Sequence, residues 1–305
     1  MTQEKLNEVL EKHKLWIDSN GSQGEKANLM YMDLSGKNLR HAALCNANIQ
    51  GTRLDNAILA FADLRGACLN DAVLCGAEMQ NANLSKATMR RADLSNTALQ
   101  RANLYMADLF ESDLDYAILD FVQAVGVNLS DASLEHANIR CANLQGAKMK
   151  SASLEDANLS CSILCDADLS FCDFTCADMH GTSMNIYTKI NFGMACPDEG
   201  SFIAWKFVKG PYIVKLEIPE DAKRSSATTK KCRADKAKVL EILNPDGTRA
   251  NVETVYSFYE RNFNYKVGEM VYADEWDDDR WNECSHGIHF FVSRADAENY
   301  GKLYQ

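Results

Sequence analysis

Between residues 62 and 85 the chain reads ADLRGACLNDAVLCGAEMQNANLS, a small residue followed two places later by a large apolar one, at a strict period of five. An α-helix turns about 100° per residue, so a five-residue repeat would scatter its leucines around the whole circumference. A single long strand is excluded as well, because residues five apart point to opposite faces. Stepping by five from Leu29 reaches Met184 without an insertion or deletion, through 32 pentapeptides. Every centre is Leu, Ile, Met or Phe except Ala124, and 22 of the 32 positions two residues earlier are Ala. A fixed short period of this kind marks a solenoid.

Within A-D-L-x-x, Ala and Leu share the inner side of a short extended segment, the Asp or Asn between them points out, and the last two residues turn the corner. Only a small side chain fits beside each Leu in a narrow interior, which accounts for the recurrent Ala. At VQAVG the centre shrinks to Ala124 while the small place grows to Val122, so volume is exchanged within one wall. Met32 and Lys37 occupy small inward places near the start; the first coil is expected to be irregular there, with Lys37 snorkelling at an open end.

The motif A(D/N)LXX, met at ANLSK, ADLSN, ANLYM, ADLFE and ANLQG, resembles that of the pentapeptide-repeat family over residues 27–186. The resemblance implies a mainly β fold, a right-handed quadrilateral β-helix with four walls per coil. Eight coils at about 4.8 Å each make a rod of roughly 38 Å. Before it, residues 1–26 are expected to form a capping helix and lead-in, with Leu6, Val9, Leu10 and Ile17 at helical spacing, His13 on the same face and SNG as a stop.

The frame fails at Lys189, and residues 187–305 read as an α+β domain that also caps the last coil. SFIAWKFV and YIVKLEI flank a Gly-Pro turn, KVLEIL precedes NPDG, NYKVGEMVY and GIHFFVS read as strands, and RADAENYG as a final helix. The stretches CPDEGSFIAWK, IPEDAKRSSATTKKCRADKAKVLEI and ECSHGIHFF resemble a domain of unknown function appended to pentapeptide repeats in bacterial and phage proteins. That resemblance carries no activity.

Three groups in this domain could carry chemistry. Lys223, Arg224, Lys230, Lys231, Arg233, Lys236 and Lys238 lie among Ser225, Ser226, Thr228 and Thr229, a pattern able to grip a phosphate. The alternative is solvation, or pairing with Asp274, Glu275, Asp277, Asp278 and Asp279. Cys284, His286 and His289 are acceptable zinc ligand types at a spacing that fits no standard site, so no metal or cofactor is expected. Cys232 stands between Lys231 and Arg233, which would favour a thiolate, yet no partner His is apparent. Convergence of Arg224, Lys231, Arg233 and His289 on one cleft would indicate a phosphate-binding or enzymatic module, and dispersal a non-catalytic one.

The net charge of −11 disfavours general nucleic-acid or anionic-membrane binding. The chain shows no apolar signal segment and no long apolar span, and its 11 cysteines read as reduced thiols, so a soluble, cytoplasmic, bacterial protein is expected. One wall gathers Asp33, Asp55, Asp93, Asp113, Asp115, Glu135, Glu155, Asp156 and Asp173 against Arg53 alone. Such a face either blunts self-association or imitates DNA, as in family members that bind type II topoisomerases. Nine carboxylates over roughly 38 Å fall short of duplex DNA's one phosphate per roughly 1.7 Å. The reading favoured from sequence is a non-enzymatic recognition rod that offers flat walls and a C-terminal domain to a protein partner.

Overall fold

The computed structural model describes residues 1–190, 195–226, 228–258, 263–278, 280 and 285–302. The chain divides into two compact units, Met1–Asn191 and Phe192–Gln305.

In the first unit the residue before each centre bridges, in parallel, its counterpart 20 residues on, from Asn28↔Asn48 to Ile163↔Ser183. One coil is therefore four pentapeptides long, and the register never slips over this span. Centres and small places are buried almost throughout, and the Val122 and Ala124 exchange leaves both residues inside, at 0% and 1% exposure. Where a hydroxyl replaces Ala it is satisfied by the backbone: Thr52 Oγ1 donates to Leu29 O, Thr97 Oγ1 to Leu94 O and Ser162 Oγ to Ile139 O. A buried hydroxyl is tolerated on that condition.

The corner and the acidic position have one explanation. The amide three residues after each centre donates back to the centre's carbonyl, as from Ala62 to Leu59 at 3.0 Å, and the residue between them, Phe61, has φ +61°. This is the pattern of a type II turn. Positive φ recurs at every fifth residue from Tyr31 to Gly181, mostly without Gly, at a cost of roughly 1 to 2 kcal/mol for each side chain so placed. Coil-to-coil bonds hold these residues there, such as Phe61 N to Gln80 O at 3.0 Å. The Asp or Asn before many of the centres accepts the amide two residues on, as Asp33 does from Ser35, Asp93 from Ser95 and Asn103 from Tyr105. These Asx turns preset the corner, which is why the motif prefers Asp and Asn over other polar residues.

Helix α1 (Gln3–Asp18) begins at Thr2, whose Oγ1 accepts from Lys5 N. Its side chains substitute for a missing preceding coil. The Gln3 carboxamide donates to Asn38 O and accepts from Asn38 N, as a neighbouring peptide group would. Gly24, at φ +73°, admits no side chain, because a Cβ would lie 2.1 Å from Lys12 O. The first coil is regular, contrary to expectation: Met32 is 36% exposed and Lys37 half-buried, while the ladder beside them continues intact. With no coil beneath it, the small place at this end is not enclosed, and a long side chain leaves the backbone undisturbed.

His13 is 0% exposed; Ala27 N–H donates to its Nδ1 at 3.0 Å, so Nε2 carries the proton and donates to Cys45 O at 3.1 Å. Burial, first, and then Lys26 hold its pKa below 6.5, against the contrary pull of the Cys45 bond. A lowered folded-state pKa leaves stability whole above 6.5 and removes it as pH falls through the folded value. Melting of the first unit is accordingly expected to weaken between pH 6.5 and 5, and a His13→Asn variant to lose that dependence. Parallel pH profiles for parent and variant would refute the assignment.

The frame failure at Lys189 is a one-residue insertion. Strand β1 (Asp168–Leu169) pairs in parallel with β2 (Lys189–Ile190), a step of 21 residues in place of 20. Asn185 anchors the extra residue, its Oδ1 accepting from Tyr187 N and Thr188 N.

The second unit holds β3 (Phe202–Phe207), β4 (Ile213–Ile218), β5 (Arg224–Ser226), β6 (Lys231–Ala234), β7 (Lys236–Leu243), β8 (Thr254–Tyr256), β9 (Asn264–Lys266), β10 (Met270–Tyr272), β11 (Ile288–Phe291) and α2 (Arg294–Lys302). Seven strands form an antiparallel sheet in the order β10-β7-β4-β3-β11-β6-β5, and β8 pairs with β9. Val214, Leu216, Val239, Cys232 and Phe290 belong to its core. The strands and helix read from sequence are present; β5, β6 and β8 are additional. Among the described residues no helix is long and apolar enough to cross a membrane.

Candidate functional site

The basic run of residues 223–238 is woven into the sheet. Strands β5 and β6 pair with each other, and β6 pairs with β11, which sets Arg233 opposite His289. Alternation then decides each cation's fate. Arg233, expected to be an exposed cation, is 2% exposed. It donates to Asp277 O and His286 O and lies 5.3 Å from the Trp276 ring centre. Gly287 permits this approach, since a Cβ there would stand 3.3 Å from Arg233 Cβ and 3.5 Å from Trp276.

Arg224 is likewise spent on structure, its guanidinium donating to the carbonyls of Ala222, Pro197, Gly200, Pro219 and Glu220. Lys230 pairs with Asp296 at 3.2 Å, Lys236 with Asp221 at 2.6 Å and Lys223 with Asp278 at 3.7 Å. Of the acidic run, Asp278 therefore meets a lysine of the basic run, whereas Glu275 pairs with His286 and Asp277 accepts from Ser285. Asp279 lies outside the described residues.

Lys231 and His289 do meet. They line a small cavity of about 30 Å³ with Lys206, Phe207, Phe291 and Tyr300. His289 Nε2 donates to Ser285 O at 3.0 Å. Burial, and then the nearby Lys206 and Lys231, push its pKa down to about 3. The imidazole is thus neutral at physiological pH and brings no positive charge to an anion, which corrects its place among the phosphate-gripping residues. Arg224 and Arg233 stand apart from this cavity's lining, so the four residues do not converge.

Cys284 lies outside the described residues, and among those described no three-ligand metal cluster is found. Cys232 is fully buried. Its hydrogen bond to Cys196 holds the Cys196 thiol, also buried, below its ordinary pKa. The perturbed thiol is therefore the one at 196, which its sequence neighbours do not reveal.

On the acidic wall the carboxylates stitch turns and coils together. Asp113 Oδ1 accepts from Asp115 N, Asp115 Oδ1 from Glu135 N and Ser133 Oγ, and Glu135 Oε1 from Ser153 Oγ. Asp55 meets Arg53 and Ser35, Asp93 and Asp173 accept from Ser95 and Thr175, and Asp156 lies 3.7 Å from His136. Like-charge crowding is nevertheless present. Burial, and then Asp115, Asp93 and Glu135, push the Asp113 carboxyl up, against the opposing amide bond. The other walls carry cross-coil pairs such as Arg90–Asp108 and Arg91–Asp71, and stacked rings such as His41–Phe61 and Tyr116–His136.

The family model for pentapeptide repeats (8 copies) matches overlapping stretches from residue 25 to residue 185, and that of a family of unknown function (DUF5758) matches residues 192–297. No curated protein matches. Among solved structures, the pentapeptide repeat protein Rfr23 from the cyanobacterium Cyanothece 51142 is 37% identical, with a TM-score of 0.31, over 31% of this chain and 64% of its own. The chain therefore spans under two thirds of that protein's length. HetL, a pentapeptide repeat protein involved in heterocyst differentiation regulation in Nostoc sp. strain PCC 7120, is 26% identical over 57% of this chain and 91% of its own, at a TM-score of 0.40. QnrB1, a plasmid-mediated fluoroquinolone resistance protein, is 15% identical over 53% and 91%, at 0.41.

Proposed function

The chain belongs to the pentapeptide-repeat family, and from that premise we propose that it is a non-catalytic recognition protein whose β-helix, right-handed and quadrilateral, presents its walls to a protein partner. In this reading residues 1–26 cap the rod, residues 27–186 form it, and residues 187–305 are a second domain that shares in partner contact. The supporting observation is the unbroken 20-residue register, which fixes every outward side chain on a lattice with a coil spacing of about 4.8 Å. A partner meets this face without an ordering cost on the rod's side, and pre-organised surfaces bind more tightly for that reason.

The acidic wall is secondary in this account. Its carboxylates are committed to amides and hydroxyls of the rod, and a group so engaged is a poorer stand-in for a freely solvated phosphate. Bacterial gyrase supercoiling is expected to be unaffected by the full chain. Inhibition that disappears when Asp115→Asn, Glu135→Gln and Glu155→Gln are combined would establish DNA mimicry instead. These three changes keep an acceptor oxygen at each position, so the melt is expected to move by less than about 1 kcal/mol, as lost charge-assisted bonds offset relieved repulsion.

The favoured reading is tested by affinity capture from a bacterial lysate, with the parent compared with variants bearing two Arg substitutions on one wall at a time. One protein recovered by the parent and lost with a single wall, at unchanged melting, supports it. Equal recovery across all walls counts against it.

A further inference from the structure

The second unit carries an open cavity of about 380 Å³, lined by Lys223, Arg224, Ser225, Trp276, Asp278 and Arg280. Its volume lies in the range of small-molecule sites, from about 300 to 1,000 Å³, and far exceeds a bare anion. Three cations and one carboxylate line it. Arg224 has its donors committed to carbonyls and so contributes field rather than hydrogen bonds. Lys223 is mostly exposed, 3.7 Å from an equally mobile-ended Asp278 in open solvent, a pairing that a stronger anion can displace.

A second observation is independent of charge. Ser225 is 6% exposed, and its Oγ is buried without a hydrogen-bond partner. Burying a hydroxyl in that state destabilises the empty protein, and a ligand oxygen able to accept from it recovers the loss. Trp276 adds an indole to the lining, held by Arg233 at its ring and by Asp278 at Nε1.

We propose that this cavity binds a phosphomonoester of nucleotide size, its phosphate facing Lys223, Arg280 and Ser225 and its organic part lying along Trp276. The net lining charge of about two matches a phosphomonoester's charge of about −1.5 to −2 at pH 7. The proposal is independent of the rod's partner, and its failure would leave that reading untouched.

The test is isothermal titration of the full chain with adenosine 5′-monophosphate, inorganic phosphate and adenosine. Saturable binding of the nucleotide is expected, with adenosine at least tenfold weaker. Lys223→Glu should weaken nucleotide binding at least tenfold, and Ser225→Ala several-fold without lowering the melting temperature. Phosphate binding as tightly as the nucleotide would also support the shared chemistry and identify free phosphate as the source. Absence of heat with both phosphate compounds, adenosine binding as tightly as its monophosphate, or unchanged affinity in Lys223→Glu would overturn the proposal.

Discussion

Replacement of Leu94 by Asp is expected to abolish the cooperative melt of the repeat unit. Leu94 is 0% exposed, its amide donates to Asp113 O at 2.7 Å, and the centres stacked on either side, Leu74 and Leu114, are also fully buried. A carboxylate in that column meets only aliphatic carbon and committed backbone, at a cost of several kcal/mol, roughly 4 or more, before neighbouring coils separate. In a solenoid that loss propagates, because each coil is held by its neighbours. The adjacent Asp93 faces outward, and Asp93→Ala should cost only about 1 kcal/mol, the worth of its Asx bonds to Ser95 N and Oγ. Thermal melts followed by circular dichroism separate the two. A Leu94→Asp protein that melts near the parent temperature would refute the inward assignment.

The second large effect concerns Arg233. Its removal strands the carbonyls of Asp277 and His286 and leaves a cavity beneath Trp276, so Arg233→Ala is expected to destabilise the second unit by about 3 kcal/mol. The loss should be nearly the same in 0.05 M and 0.5 M salt, because a buried cation is poorly screened. An exposed binding cation would behave in the opposite way, with an unchanged melt and a salt-dependent loss of ligand. Denaturant titration at the two ionic strengths distinguishes them.

These two residues also mark what could be read from sequence. Leu94 is one of 32 equivalent positions, and a repeated register broadcasts its environment through every copy. The inward centres, the small places, the Val122 and Ala124 exchange and the capping helix were all legible for that reason. The role of Asp and Asn was visible only as outward polarity, since an Asx bond depends on the positive φ two residues beyond. Lys189 broke the frame in the sequence, but only strand pairing showed the break to be a single inserted residue.

In the second unit no repeat averages over errors. Lys-Cys-Arg-Ala reads as a charged stretch, yet the partners of Arg233 lie 44 and 53 residues away. His289 was legible as a strand residue, while its depressed pKa arises from Lys206 and Lys231 on two other strands as well as from burial. Cys196 and Cys232 meet for the same reason, through contacts that no local spacing encodes.

The account's central claim is that recognition resides on one face of a fixed 20-residue lattice. Photo-crosslinking in cells tests it directly, with a benzophenone side chain placed singly at 91, 111 and 131 on one outward column, 115, 135 and 155 on a second, and 86 and 106 on a third. The account predicts adducts to one protein from several positions 20 residues apart in a single column, with the other columns silent. Adducts scattered across all columns without that period, or none from the rod at all, would contradict it.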